Sequence, residues 1–384
     1  MSKHLPLFYI TNSRLPSDKA NSIQVLKMAE AFTQSGKIDF KLVIPMRIQP
    51  KEMENVDLKE FYQLKNKIEI VRLPCVDFLN INCPLPVALI FYYLQIVTYC
   101  ASVLIFLLLQ KSGKIYTRDF YLLPALLLTG REIYYEAHYF PANKLAMFLH
   151  KLFFPRLKGV VALTAEFRKF FDSFKFKYRK LMVSHDASDP LFFGGYDPAA
   201  IVNQKKLLKI GNKTVIGYIG NLFGLGEDKG GKILVKAFKT VRRSFPNTTL
   251  LVVGGSDLKN QPGIRLIGRV GYNQMPLWFN LVDIGVIPFP DRPHFRHFMS
   301  PLKLFDYLAC GKPIVTSDFP CLREVISNDN AVFVRASDSK SLALGLTKLL
   351  KNRRLAARMG KNNYLLAKKY TWQNRAEAIL KFLD

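Results

Sequence analysis

Residues 300–318 read SPLKLFDYLACGKPIVTSD. A helix-like apolar run carries one acid, Asp306, and breaks at Gly311-Lys312-Pro313 before a β-like run, PIVTS. A helix that only packs into a core has no use for that carboxylate, because burying an acid is costly. Its two oxygens can instead accept both vicinal hydroxyls of a ribose, which a hydroxyl or an amide does less well. Ser300 and Pro301 read as the helix start, Ser as cap and Pro in the first turn. Lys303 precedes Asp306 by three residues, so the bland alternative is an i, i+3 ion pair on a helix surface.

Outward from this stretch, short β-rich runs alternate with helical patterns. In the second half the β-rich runs are 214–220, 249–255, 264–268, 283–289, 313–317 and 331–335. In the first half they are 7–11, 40–45, 68–73, 114–118, 132–137, 159–164 and 180–184. Helical patterns fall between most of them, for instance at 22–35, 229–244, 301–310 and 338–351. Such alternation gives parallel sheets covered on both faces. Strongly twisted open sheets rarely exceed ~10 strands, so two doubly wound α/β domains are expected rather than one. Breakers cluster in 184–206, which places a linker near 190–200 and divides the chain into 1–192 and 193–370. Ligands of such sheets bind outside the carboxyl ends of the strands, so two facing domains would enclose a cleft.

The chain of 384 residues is 49% hydrophobic with 22% charged residues, which is globular and not disordered. A net charge of +27 favours an anionic partner: nucleic acid, acidic membrane or phosphorylated ligand. Five cysteines, none in Cys-x-x-Cys spacing, argue against a zinc site or a disulfide framework and for a reducing compartment. The apolar run near the N-terminus is too short for a signal peptide. Val87–Leu109 has no charged residue and exceeds the ~20 residues that cross a bilayer. Gln95, Thr98 and Ser102 nevertheless share one helical face, and strand-like runs flank the segment. A helix that is buried or grazes a membrane is therefore expected over one that spans it.

Five segments carry candidate chemistry. Residues 217–231, GYIGNLFGLGEDKGG, hold six glycines between a strand and a helix, where backbone amides and Lys229 suit phosphate. The second is the opening stretch, with Asp306 and the amides around Ser300. Third, Glu136 and His138 end a strand, and Arg118 ends its neighbour; His suits proton transfer or a sugar hydroxyl, and Arg118 suits phosphate. Fourth is the loop 12–32, with Lys19 and a helix capped by Asn21 or Ser22, an acceptor or phosphate contact or an ordinary connection. The last is 142–180, with ten Lys/Arg against Glu166 and Asp172 and interleaved Phe and Tyr, which suits anionic headgroups. The same interleaving suits single-stranded nucleic acid, but no RNA-binding signature accompanies it, so no nucleic-acid partner is expected.

Taken in order, GYIG…KGG, IRLIGRV and SPLKLFDYLACGKPIVTSD resemble the retaining glycosyltransferases of family 4, which have the two-domain GT-B fold. PSDKANSIQVLKMAEAF, KIYTRD and YYEAH resemble the same family, and YTWQNRAEAILKF resembles its final helix, which returns to the first domain (here 371–384). The resemblance implies transfer of a sugar from a UDP- or GDP-linked donor with retention of configuration, without metal or further cofactor. It makes Asp306 the ribose ligand, as the second acid of the family's Glu-x7-Glu motif; the first falls on Phe298. Ser300, Leu302 and Lys303 would offer amides to the donor. Lys229 would hold the diphosphate, its usual arginine partner being Asn221 here, with Arg269 or Lys303 in compensation. Gly220 would lie beside the donor, and Gly268–Val270 beside the base. His138, with Glu136, would stand at the reaction centre.

The acceptor is expected on the first domain, where the basic-aromatic and apolar segments lie. This suits a lipid-linked or envelope glycan at an anionic membrane and a cytoplasmic, peripheral enzyme. Two alternatives share the fold: an epimerase or hydrolase needing no acceptor, and a non-catalytic relative marked by Phe298 and Asn221.

Overall fold

The computed structural model describes residues 5–81, 83–141, 143–224, 227–259 and 261–384. Leu225 and Gly226 of the glycine-rich stretch and Ala142 of the basic region lie outside the described residues. Two compact units divide the chain: Met1–Ser184 with Gln373–Asp384, and His185–Trp372.

The first unit holds seven parallel strands: β1 (Leu7–Ile10), β2 (Phe40–Pro45), β3 (Ile70–Leu73), β4 (Lys114–Thr117), β5 (Ile133–Ala137), β6 (Gly159–Ala162) and β7 (Leu181–Val183). Their order is β3-β2-β1-β4-β5-β6-β7, so the winding reverses between β1 and β4. The central strands are unbroken apolar runs because helices cover both faces. Tyr9, Tyr116, Tyr134 and Tyr135 fill the interior. The last helix, Trp372–Leu383, lies on this unit: Tyr134 Oη donates to the Leu383 carbonyl at 2.7 Å, and Gln373 bonds Gln34 of the first helix at 3.1 Å.

The apolar helix Leu85–Leu109 packs here too. Strand β3 before it and β4 after it belong to one sheet, which excludes a span across a bilayer. Its polar side chains are used as their spacing predicts. Gln95 exchanges bonds with Asn12 at 3.0 and 2.8 Å, Thr98 Oγ1 accepts from the Val76 amide at 3.0 Å, and Ser102 Oγ donates to the Pro74 carbonyl at 2.7 Å. The opposite face is bare hydrocarbon: Leu85, Ile90, Tyr93, Val97, Ile105 and Leu108 are all more than half exposed.

The second unit holds β8 (Thr214–Ile219), a small hairpin β9 (Phe223–Gly224) and β10 (Glu227–Asp228), then β11 (Thr248–Val253), β12 (Ile264–Gly268), β13 (Ile284–Ile287), β14 (Ile314–Ser317) and β15 (Ala331–Val334). Its parallel sheet runs β12-β11-β8-β13-β14-β15 and reverses between β8 and β13. All thirteen β-rich runs are thus strands; the hairpin, inside the glycine-rich stretch, was not expected. The stretch 190–200 forms short helices, Pro190–Phe193 and Pro198–Leu207, started by the carboxylates of Asp189 and Asp197. Helix Leu302–Ala309 is seated by a close approach: a Cβ on Gly285 of β13 would meet the Tyr307 ring at 2.8 Å, while Tyr307 Oη donates to the Gly217 carbonyl of β8 at 2.8 Å. That contact fixes where Lys303 and Asp306 stand.

Candidate functional site

In the second unit the chemistry gathers at the carboxyl end of the sheet, over the β8/β13 reversal. Lys303 does not pair with Asp306. Its Nζ lies over the Tyr218 ring at 3.7 Å and 5.7 Å from the centre of the Phe289 ring, side chains from the ends of β8 and β13. Gly220 (φ 120°) leaves room for it, since a Cβ there would lie 2.9 Å from Nζ. Burial and then the charge of Lys229 hold the Lys303 ammonium well below its ordinary pKa. Two cationic groups are thus crowded in a partly dry place, and an anion between them would relieve both.

Asp306 Oδ1 accepts from Ser188 Oγ at 2.6 Å. Burial pushes its carboxyl up to about 8, with the Ser188 bond working the other way. Ser300 is not the helix cap that its position suggests. Pro301 occupies that place, and Ser300 Oγ accepts from the Asp186 amide at 2.8 Å. Helix Leu302–Ala309 has no side-chain cap and no acid in its first turn. The amides of Leu302 and Lys303 have no hydrogen-bond partner among the described residues. They form an open donor end of a helix dipole.

The glycine-rich stretch corrects an expectation. The start of helix Gly231–Ser244 is not open to phosphate, because Asp228 occupies it. Oδ1 accepts from the amides of Gly230 at 2.9 Å and Gly231 at 2.6 Å, and Oδ2 from Lys232 at 3.4 Å. An Asp just ahead of a helix is a cap signal, so this was readable in the sequence. Lys229 is half-buried beside that cap, its amide bonded to the Leu222 carbonyl at 2.8 Å. Asn221 Oδ1 accepts from the Gly255 amide at 2.7 Å. Arg269 stands by the same loop, where a Cβ on Gly255 would lie 3.7 Å from its Nε. Phe298, at the position of the family's first Glu, is buried.

In the first unit, Glu136 and His138 lie together at the end of β5, but enclosed. Glu136 has no exposure. Its Oε1 accepts from Gln24 at 2.7 Å and lies 2.5 Å from His138 Nε2; its Oε2 takes Tyr116 Oη and lies 3.1 Å from Arg375. Burial alone would raise this carboxyl, yet Arg375, His138 and Arg118 hold it well below the ordinary value. Arg118 donates to His138 Nδ1 at 2.9 Å, to Gln24 Oε1 and to the Asn21 carbonyl at 3.5 Å. His138 is therefore the Nε2–H tautomer with both nitrogens engaged, and burial holds it neutral, down at about 4. In this arrangement the ring is positioned rather than free to take a proton, and Glu136 positions it. The helix Ala20–Gln34 is capped by neither Asn21 nor Ser22. Lys19 holds the cap position without a side-chain bond, and Ser22 Oγ donates to the Arg14 carbonyl at 3.1 Å.

Gln24, Tyr116, Arg375, Ser188 and Asp228 were missed from sequence. Arg375 had a signal. Trp372, Arg375, Ala376, Ile379 and Leu383 recur at helical spacing and are all buried, so the arginine stood on the inward stripe.

Residues 213–352 match the family described as glycosyl transferases group 1, and this span holds Lys229, Lys303 and Asp306. Over this span the chain is similar to the group 1 glycosyltransferases. Its fold is GT-B, the architecture of family 4. HepE of Anabaena, solved with UDP and glucose, superposes with a TM-score of 0.74 at 14% identity over 99% of each chain. Sucrose-phosphate synthase of Thermosynechococcus elongatus gives 0.74 at 14% identity, over 99% of this chain and 98% of that one. By sequence, phosphatidyl-myo-inositol mannosyltransferase of Propionibacterium freudenreichii is 25% identical over 148 residues, 38% of this chain and 37% of that protein. A candidate teichuronic acid biosynthesis glycosyltransferase of Bacillus subtilis, TuaH, is 30% identical over 115 residues, 28% of this chain and 27% of that protein. The chain thus aligns with only about a third of the length of these curated relatives.

Proposed function

We propose that the protein transfers a sugar, with retention of configuration, from a nucleotide diphosphate sugar to a lipid-linked or envelope glycan acceptor at a membrane surface. One observation carries this reading. An uncapped helix start presents Lys303 and, one turn on, Asp306 over the sheet reversal of the unit that matches the family. Asp306 would accept the ribose hydroxyls. The amides of Leu302 and Lys303, with the two lysine ammoniums, would take the diphosphate. As the anomeric C–O bond breaks, its electron pair passes to the diphosphate oxygen, which these dipoles and charges stabilise. The acceptor hydroxyl then bonds the oxocarbenium-like carbon from the same face, and its proton passes to the departing phosphate. Relatives named for UDP, UDP-glucose and phosphatidylinositol support a UDP-linked hexose and a lipid acceptor.

The bare face of Leu85–Leu109 supports a peripheral station on the cytoplasmic face, the helix lying in the membrane plane. Of the aromatics in 166–180, Phe167, Phe171 and Phe176 are core, and Phe174 is exposed. The headgroup contact therefore rests on the lysines and arginines more than on the rings.

The test supplies UDP- and GDP-hexoses with and without a prenyl-diphosphate-linked sugar and follows products by NMR. An acceptor-dependent glycoside with the donor's anomeric configuration is expected. Rapid epimer or free sugar without acceptor would place the protein in the epimerase or hydrolase class. Absence of any turnover, with nucleotide still bound, would favour the non-catalytic reading that the buried Phe298 invites.

A further inference from the structure

The first unit carries a second cationic cluster, built from other residues than Arg118 and His138. Strands β1, β2 and β3 are neighbours, and the segments leaving their carboxyl ends bring together Arg14, Arg47 and Asp77. Arg47 Nε lies 3.3 Å and Arg14 Nη2 3.8 Å from Asp77 Oδ2. That carboxylate, whose side chain is only 2% exposed, also accepts from the amides of Ile48 at 3.1 Å and Leu79 at 3.2 Å. One acid already fully used therefore faces two guanidiniums.

The imbalance is visible in the geometry. Arg14 bonds Asn80 Oδ1 at 3.1 Å through Nη2, but its Nε is buried with no hydrogen-bond partner among the described residues. A buried, unpaired charged donor is costly and seeks an acceptor. Burial and then the neighbouring Arg47 charge lower the Arg14 pKa.

The rim is the opposite in character. Met46, Ile48, Phe78 and Ile81 are each exposed, though they flank the cations. The Phe78 ring lies tilted, 5.3 Å centre to centre, against the half-buried Phe91 of the apolar helix, so the rim meets that helix. A positive pocket that opens onto a hydrocarbon track fits an amphiphile with an anionic head.

We propose that Arg14 and Arg47, held by Asp77, bind the phosphate of an acceptor carried on a hydrocarbon chain, with the chain along Met46, Ile48, Phe78 and the helix Leu85–Leu109. That the ligand is an acceptor rests on the glycosyl-transfer reading; the binding itself does not.

The experiment uses the full chain and measures Kd for farnesyl diphosphate and for inorganic diphosphate, alongside the UDP-induced melting shift and flotation with phosphatidylglycerol vesicles. Farnesyl diphosphate should bind more tightly than inorganic diphosphate. Arg14→Gln with Arg47→Gln should weaken it by about tenfold or more, with the UDP shift and the flotation unchanged. The partly exposed Arg14→Gln alone should weaken it in the same direction, which keeps the test readable if the double variant folds poorly. Unchanged farnesyl diphosphate affinity overturns the proposal. So does equal loss of farnesyl diphosphate and vesicle binding, which would make the pair a bulk headgroup contact. A missing UDP shift in the unaltered protein would count against the donor site and leave this binding result standing on its own.

Discussion

Ser188 donates its hydroxyl hydrogen to Oδ1 of Asp306 across 2.6 Å. It is the bond that favours the ionised form of a carboxyl which burial pushes up to about 8. Removing it in Ser188→Ala should raise that carboxyl further. Near pH 7 UDP should then bind about five- to tenfold more weakly, the scale of one hydrogen bond to a charged group. Calorimetric titration checks this, and the deficit should shrink above pH 9. Equal affinity at both pH values would remove Ser188 from the site.

The same carboxyl predicts a pH signature in stability. Its folded pKa, about 8, lies above the ordinary 3.8. The folded chain keeps a proton that the unfolded chain has released, so this group's contribution falls as pH rises from about 4 to about 8 and is level beyond. In Asp306→Asn the contribution is gone. The melting-temperature gain of the variant over the natural chain should therefore grow between pH 5 and pH 8.5. A gain that does not vary with pH would contradict the account.

Gly285 seats the helix that carries the site. Gly285→Ala puts a methyl 2.8 Å from the Tyr307 ring. The overpacking should cost about 1–3 kcal/mol in urea unfolding and shift Lys303 and Asp306 together, weakening nucleotide binding. Full stability with full binding would show that the seat is looser than the contact implies.

In the first unit, Arg375 faces the Glu136 carboxylate at 3.1 Å with neither group exposed beyond 2%. Arg375→Met leaves that carboxylate in the interior short of a cation. About 3–5 kcal/mol of stability should be lost, as for other broken buried pairs. Urea denaturation at pH 7 reads it. A loss under 1 kcal/mol would mean that Gln24, Tyr116 and His138 suffice.

How much of this was legible follows from which interactions are local. Thirteen parallel strands announced themselves as apolar runs between helical patterns, because the central ones are buried on both faces and only edge strands such as Leu181–Val183 are half-exposed. The polar stripe Gln95, Thr98 and Ser102 told which face of the long helix meets protein. Asp306 stood out as an acid without a core role. Its partner Ser188 did not, because it is 118 residues away and only the fold brings the two together. The closing of the Gly231–Ser244 helix start by Asp228 is local, two and three residues along the chain, and is readable from an Asp ahead of a helix. Glu136 showed its place at a strand end but not its enclosure, which comes from Gln24, Tyr116 and Arg375 on three separate segments.

The central claim is that Asp306 holds the ribose of a donor nucleotide. A melting-temperature screen of the full chain with UDP, GDP and their sugars, repeated with Asp306→Ala, tests it most directly. A nucleotide-induced rise in the natural chain that disappears in the variant, while the variant melts cooperatively on its own, is the predicted result. A rise of the same size in both would contradict it.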